Sequence, residues 1–140
     1  MPIPVPSAQH SGTSSGGVWV VDRVADKIDY VHDRIVVLRA GAAAVTQNTA
    51  AKVRALIDAH SIELQALPHV KTAAKMFAKL SYEKSLDGVF IVAGWDPYEG
   101  AGIFNVNLGG ANVEREWTMS GSGSTYIFGF CDANYKVNGL

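Results

Sequence analysis

Asp96 and Glu99 stand three residues apart in Ala93-Gly94-Trp95-Asp96-Pro97-Tyr98-Glu99-Gly100, close enough to suggest paired carboxylates for acid–base work. Pro97 between them and Gly100 after them fit a hairpin turn better, and turn residues alone imply no cleft. His10, His32, His60 and His69 follow no ligand spacing and lack the HExxH pattern, so each is expected to be a surface or packing histidine. Cys131 lies in the aromatic run Phe128-Gly129-Phe130-Cys131-Asp132-Ala133-Asn134-Tyr135 and is expected to be buried. A thiolate nucleophile there would need an activating partner that the sequence does not reveal. Met119-Ser120-Gly121-Ser122-Gly123-Ser124 is the one glycine loop of chemical interest. It lacks the Lys-Ser/Thr of a phosphate-binding loop and is no complete dinucleotide fingerprint, but its small residues let amides and hydroxyls approach another group closely. A plain turn fits it equally well.

The composition narrows the classes further. With 12 basic and 13 acidic residues, net charge -1, the chain has no electrostatic case for nucleic acid or an anionic membrane. The lone Cys131 excludes an intrachain disulfide and a cysteine-rich metal site, and nothing implies a cofactor or a metal. No apolar run approaches the roughly 18 residues of a membrane span. The start lacks the basic and long apolar regions of a signal peptide, so a soluble intracellular protein is expected. A length of 140 residues suits one domain.

The elements that must position these residues group around Gly88 to Val106. There a β-rich run, a turn at Asp96 to Gly100 and a second alternating run read as an antiparallel hairpin. Before it, residues 1–17 are expected to be irregular, since Pro2, Pro4 and Pro6 block regular bonding and a Ser/Thr/Gly cluster follows. Residues 18–140 form the domain proper. Val18 to Val21 and Ile35 to Leu38 are strand candidates, with a mixed segment, Asp22 to Ile28, after the first and Gly41 ending the second. From Ala42 to about Leu64 the pattern is helical, with Val45, Thr49, Val53, Leu56, Ile57 and His60 near one face. After Pro68 a second helix turns Val70, Ala73, Ala74, Phe77 and Leu80 inward. Its Lys71, Lys75 and Lys79 mark a solvated face or a subunit contact. A further strand is expected around Asn112 to Thr118 and a helix from Thr125 to Asn134. This order favours α+β, with helices packed on antiparallel sheet, over a parallel nucleotide-binding arrangement.

Five ordered motifs then resemble a known family. They are Arg23-Val24-Ala25-Asp26-Lys27-Ile28, His32-Asp33-Arg34-Ile35, His60-Ser61-Ile62-Glu63-Leu64, Ala93-Gly94-Trp95-Asp96-Pro97 and Gly121-Ser122-Gly123-Ser124-Thr125-Tyr126-Ile127. From about Ser11 onward the chain resembles eukaryotic 20S proteasome β subunits, in particular the caspase-like, post-acidic type called beta-1. The resemblance implies an N-terminal nucleophile hydrolase fold, an αββα sandwich of two antiparallel sheets between helical layers. It also implies threonine-type peptide hydrolysis, in which a terminal threonine hydroxyl attacks the carbonyl while its own amine and a lysine manage the proton. On that pattern Lys27 corresponds to the lysine, Ser122 to a serine hydrogen-bonding near the nucleophile, Gly121 to its glycine neighbour, and Gly41 to the oxyanion-hole amide. Arg39 falls where the post-acidic type carries its basic pocket residue, and Ala43 would line the same pocket. The implied partners are other α and β subunits in stacked rings and an unfolded polypeptide substrate, without nucleic acid or membrane. The implied location is the cytoplasm and nucleus.

This sequence departs from the pattern at its start. The family's threonine precedes the lysine by two strands, whereas only 26 residues precede Lys27. The local match sets Ser11 to Gly16 over an internal loop, and the loop's aspartate falls near His10. Cleavage between Gly12 and Thr13 would expose a threonine, but Thr13 lies only 14 positions before Lys27, too near for the usual hairpin and return. The first strand, the nucleophile and the C-terminal elements are therefore expected to be missing, giving an incomplete sandwich. Two functions follow as expectations: a proteasome β subunit without its catalytic threonine, or a noncatalytic structural or interaction subunit of a ring.

Overall fold

Strands with one face buried recur four times among the described residues, and the inward residues of each lie under one or both of two helices. The structure, a computed structural model, describes residues 13–15, 19–22, 27–85 and 88–136. In chain order these form strands β1 (Thr13–Ser15), β2 (Trp19–Asp22), β3 (Ile28–His32) and β4 (Ile35–Gly41), then helices α1 (Ala43–Leu64) and α2 (Val70–Lys84). Strands β5 (Gly88–Asp96), β6 (Gly100–Val106) and β7 (Asn112–Glu114) and helix α3 (Ser124–Asn134) follow. Two compact units result, one of Ile28–Thr118 and one of Met1–Lys27 with Met119–Leu140.

The larger unit holds a five-stranded antiparallel sheet in the order β3-β4-β5-β6-β7. Strands β4 and β5 are neighbours although two helices separate them in sequence. Two helices rather than one return the chain to the sheet running opposite to β4, which is what antiparallel pairing requires. Val31, Ile35, Val37, Phe90, Val92, Phe104 and Val106 are all buried toward the helices. Helix α1 covers β3 and β4, and α2 covers β5 and β6. Phe77 of α2 meets Phe90 of β5 with ring centroids 4.8 Å apart. On the other face Val36, Leu38, Ile91 and Ala93 are half-buried.

Helix α2 turns inward as its spacing predicts, burying Val70, Ala73, Ala74 and Phe77 with Leu80 partly buried. Lys71, Lys75 and Lys79 are exposed. In helix α1 Thr49, Val53 and Ile57 are buried as expected, but Val45 and Leu56 are exposed and Thr46 and Ala50 take inward places instead. Both buried threonines satisfy their own polar atoms. Their hydroxyls donate to the carbonyls of Ala42 at 3.0 Å and Val45 at 2.8 Å, so each packs inward with its polar atom satisfied. Gly88 makes room for one of them, because a Cβ there would stand 2.6 Å from the Thr46 methyl.

Four further expectations are corrected. Thr13–Ser15, inside the stretch expected to be irregular, is a strand paired with β2, Thr13 opposite Asp22; the other residues of 1–17 lie outside the described residues. Between the end of the mixed segment, Asp22 to Ile28, and Ile35 lies an unexpected strand, β3, whose exposed Ile28 and Tyr30 hide its alternation. The strand near Asn112 stops at Glu114 rather than reaching Thr118. The smaller unit contains the β1–β2 pair and α3, which starts one residue before the expected helix. Cys131 on α3 is half-buried rather than buried, and Tyr126, Ile127, Phe128 and Phe130 around it are exposed. No described helix is long and apolar enough to cross a membrane.

Candidate functional site

Strand β4 ends in Arg39-Ala40-Gly41, and helix α1 begins two residues later. Alternation puts Arg39 on the sheet face that also carries Ile35 and Val37, so its side chain runs toward the helical side and is only 9% exposed. Gly41 adopts φ 114°, a backbone conformation that residues with a Cβ rarely reach, and so lets the strand turn toward α1.

A charge buried this far needs a partner, and β3 supplies one. Arg39 Nε lies 2.7 Å from Asp29 Oδ2, with the Asp29 side chain about one-third exposed. Both atoms are shut off from solvent, and the contact is too bent for an aligned hydrogen bond, which leaves a close ion pair. Its register depends on an irregularity in β3. The two-residue turn Asp33-Arg34 pairs His32 with Ile35, and an unbroken ladder would then set Asp29 opposite Leu38, on the far face. A register shift between Tyr30 and His32 sets Asp29 opposite Val37 instead, making Arg39 its diagonal neighbour on one face.

The loop positions lie in the smaller unit. Gly121 has φ 108° and precedes exposed Ser122. The Ser124 hydroxyl donates to the Gly121 carbonyl at 2.7 Å, closing the turn that starts α3. Lys27 is exposed and stands one residue before β3. Lys27, Gly121 and Ser122 therefore belong to one unit, and Arg39, Gly41 and Ala43 to the other. Among the described residues no group of histidine, cysteine or carboxylate side chains is arranged to hold a metal ion.

Asp96 is a structural tie. It is 3% exposed; its Oδ1 accepts the amides of Tyr98 at 2.9 Å and Glu99 at 2.8 Å, and its Oδ2 accepts the amide of Val70 at 3.0 Å. Burial works against its ionisation, but the amides of Glu99, Val70 and Tyr98 and the nearby His69 hold its carboxyl below the usual value. His69 stacks on Tyr98 with centroids 4.0 Å apart, a packing role of the kind expected for the histidines.

Comparison with known proteins then decides the family. The family described as proteasome subunit matches residues 10–139. Proteasome subunit beta type-6 of Dictyostelium discoideum is 43% identical over 122 residues, covering 86% of this chain and 57% of its own length. The chain belongs to the proteasome β-subunit family. A probable proteasome subunit beta type-1 of Encephalitozoon cuniculi is 39% identical over 124 residues, covering 88% of this chain and 60% of the relative. The beta type-6 subunit of Arabidopsis thaliana is 38% identical over 127 residues, covering 89% and 54%. The chain thus spans between half and three-fifths of the length of these β-subunit relatives. Proteasome membership gives the helix-covered antiparallel sheet the N-terminal nucleophile hydrolase fold.

Two of the quoted proteasome motifs owe their residues to packing. In Ala93-Gly94-Trp95-Asp96-Pro97, Gly94 sits where a Cβ would come within 2.3 Å of the Arg34 carbonyl, and Asp96 is the buried tie. In His32-Asp33-Arg34-Ile35, the Arg34 carbonyl accepts the Trp95 amide at 3.0 Å and its guanidinium stands 5.0 Å from the Trp95 ring. Asp29 is the residue that sequence reading missed. Its signal, an acid two residues before buried Val31, cannot be assigned to a face until the register shift is known.

Proposed function

We propose that this chain is a β-ring subunit of the 20S proteasome core that takes part in intracellular protein degradation in the cytoplasm and nucleus. Its class is threonine-type endopeptidase with post-acidic specificity, and its partners are α and β subunits in stacked rings and unfolded polypeptide. Within the family pattern Lys27 would ease ionisation of the nucleophile, Gly41 would supply the oxyanion amide, and Gly121 with Ser122 would support the nucleophile. Arg39 and Ala43 would form the pocket for an acidic side chain before the cut bond. In this reading the 140 residues would contribute supporting and pocket positions without the catalytic threonine. Thr13 is a weak candidate for the nucleophile, because it lies only 14 positions before Lys27.

The observation that carries the post-acidic reading is Arg39, a cation kept 9% exposed two residues before a glycine at positive φ. Intact-mass and N-terminal analysis of the subunit isolated from its ring, with cleavage of a peptide carrying an acidic residue before the cut bond, tests it. A subunit that begins with threonine and cleaves after the acid supports an active post-acidic β subunit. A subunit retained in the ring without cleavage supports the noncatalytic structural role instead.

A further inference from the structure

We infer that Asp29 is a specificity-determining positioning residue, an internal carboxylate that occupies Arg39 and weakens its attraction for an acidic side chain. The inference rests on the reading of Arg39 as the basic residue of the substrate pocket. It starts from the register shift in β3, which brings Asp29 onto the face of Arg39 and sets Oδ2 2.7 Å from Nε. Because both atoms are cut off from solvent, water screens their attraction little. An incoming carboxylate therefore meets a guanidinium whose charge is already balanced, and it meets Asp29 as a like charge.

Asp29 also orients the guanidinium, an effect of opposite sign. That contribution is the smaller one, because Arg39 is nine-tenths buried and strand and helix packing restrict its side chain without Asp29. Removing the Asp29 charge while keeping its shape should therefore strengthen recognition of an acidic residue. The same change should leave recognition of a neutral one nearly unaltered. The present pocket would accept both acidic and neutral residues, with only a shallow preference for acid.

Binding, rather than turnover, gives a test that needs no nucleophile. Fluorescence anisotropy of the full chain would compare a labelled tetrapeptide amide ending in Asp with its Asn counterpart. The quantity read is the ratio of the two affinities. Asp29→Asn should raise the acid preference about tenfold, the scale of one charge-assisted contact. Asp29→Thr, whose β-branched side chain suits a strand, should raise it similarly, and their thermal transitions would verify that both variants fold. Arg39→Met should bring the ratio to about one, alone or combined with Asp29→Asn. If Arg39→Met removes the preference but neither Asp29 variant increases it, the inference about Asp29 is overturned and the reading of Arg39 stands. If Arg39→Met leaves the ratio unchanged, or neither peptide binds the full chain, the Arg39 reading falls and the inference with it.

Discussion

At the scale of single residues, Asp96 shows how one carboxylate can join two elements. Its oxygens accept the first amide of α2 and two amides of the β5–β6 turn, at 2.8 to 3.0 Å. Asp96→Asn keeps the shape but presents a donor where an acceptor is needed, leaving at least one buried amide unpaired. The expected loss is about 2–3 kcal/mol, read from urea unfolding of the two proteins. Acid should mimic the mutation. Because the folded carboxyl ionises below its ordinary value, the contribution is complete above about pH 4 and is lost as pH falls through the folded value. The stability difference between wild type and Asp96→Asn should therefore shrink below pH 4, and an undiminished difference there would refute the linkage.

At the scale of elements, helix α1 separates what pattern can tell from what it cannot. Periodicity places a helix over the right residues and Thr49, Val53 and Ile57 on its inward face, but it leaves out Thr46, whose buried hydroxyl would carry a desolvation penalty, in favour of Val45 and Leu56. The local bond to the preceding turn removes that penalty, and Thr46 takes an inward place. Ile57→Ala should cost about 2–4 kcal/mol, whereas Leu56→Ala, one residue along and 49% exposed, should cost under about 1 kcal/mol. Urea midpoints of the two variants check this directly. In α2 the stripe was read nearly whole, since its inward residues are all apolar or alanine. Strand β3 was missed because its exposed side holds Ile28 and Tyr30, which erases the polar half of an alternating pattern. Of the proposed site, Lys27, Arg39, Gly41 and Ser122 could be named from motif resemblance. Asp29 could not, since it is a register and not a residue type that selects it.

At the scale of the whole molecule, the larger unit is a helical layer on one face of a five-stranded sheet. Proteasome membership is secure across residues 10–139, while the chain spans no more than three-fifths of the β-subunit relatives compared. The tie from Asp96 to Val70 crosses 26 residues of this unit and has a consequence for the order in which it assembles. The first turn of α2 cannot complete its bonding until the hairpin turn has formed, although helices ordinarily form faster than such contacts. The Val70 amide should therefore act as a clock set by the sheet. In native-state hydrogen exchange its protection should equal that of the Trp95 amide, which bonds Arg34, rather than that of a fraying helix start. Exchange of Val70 well ahead of Trp95 would mean that the helix start opens on its own, and that the hairpin and helix are separate folding steps.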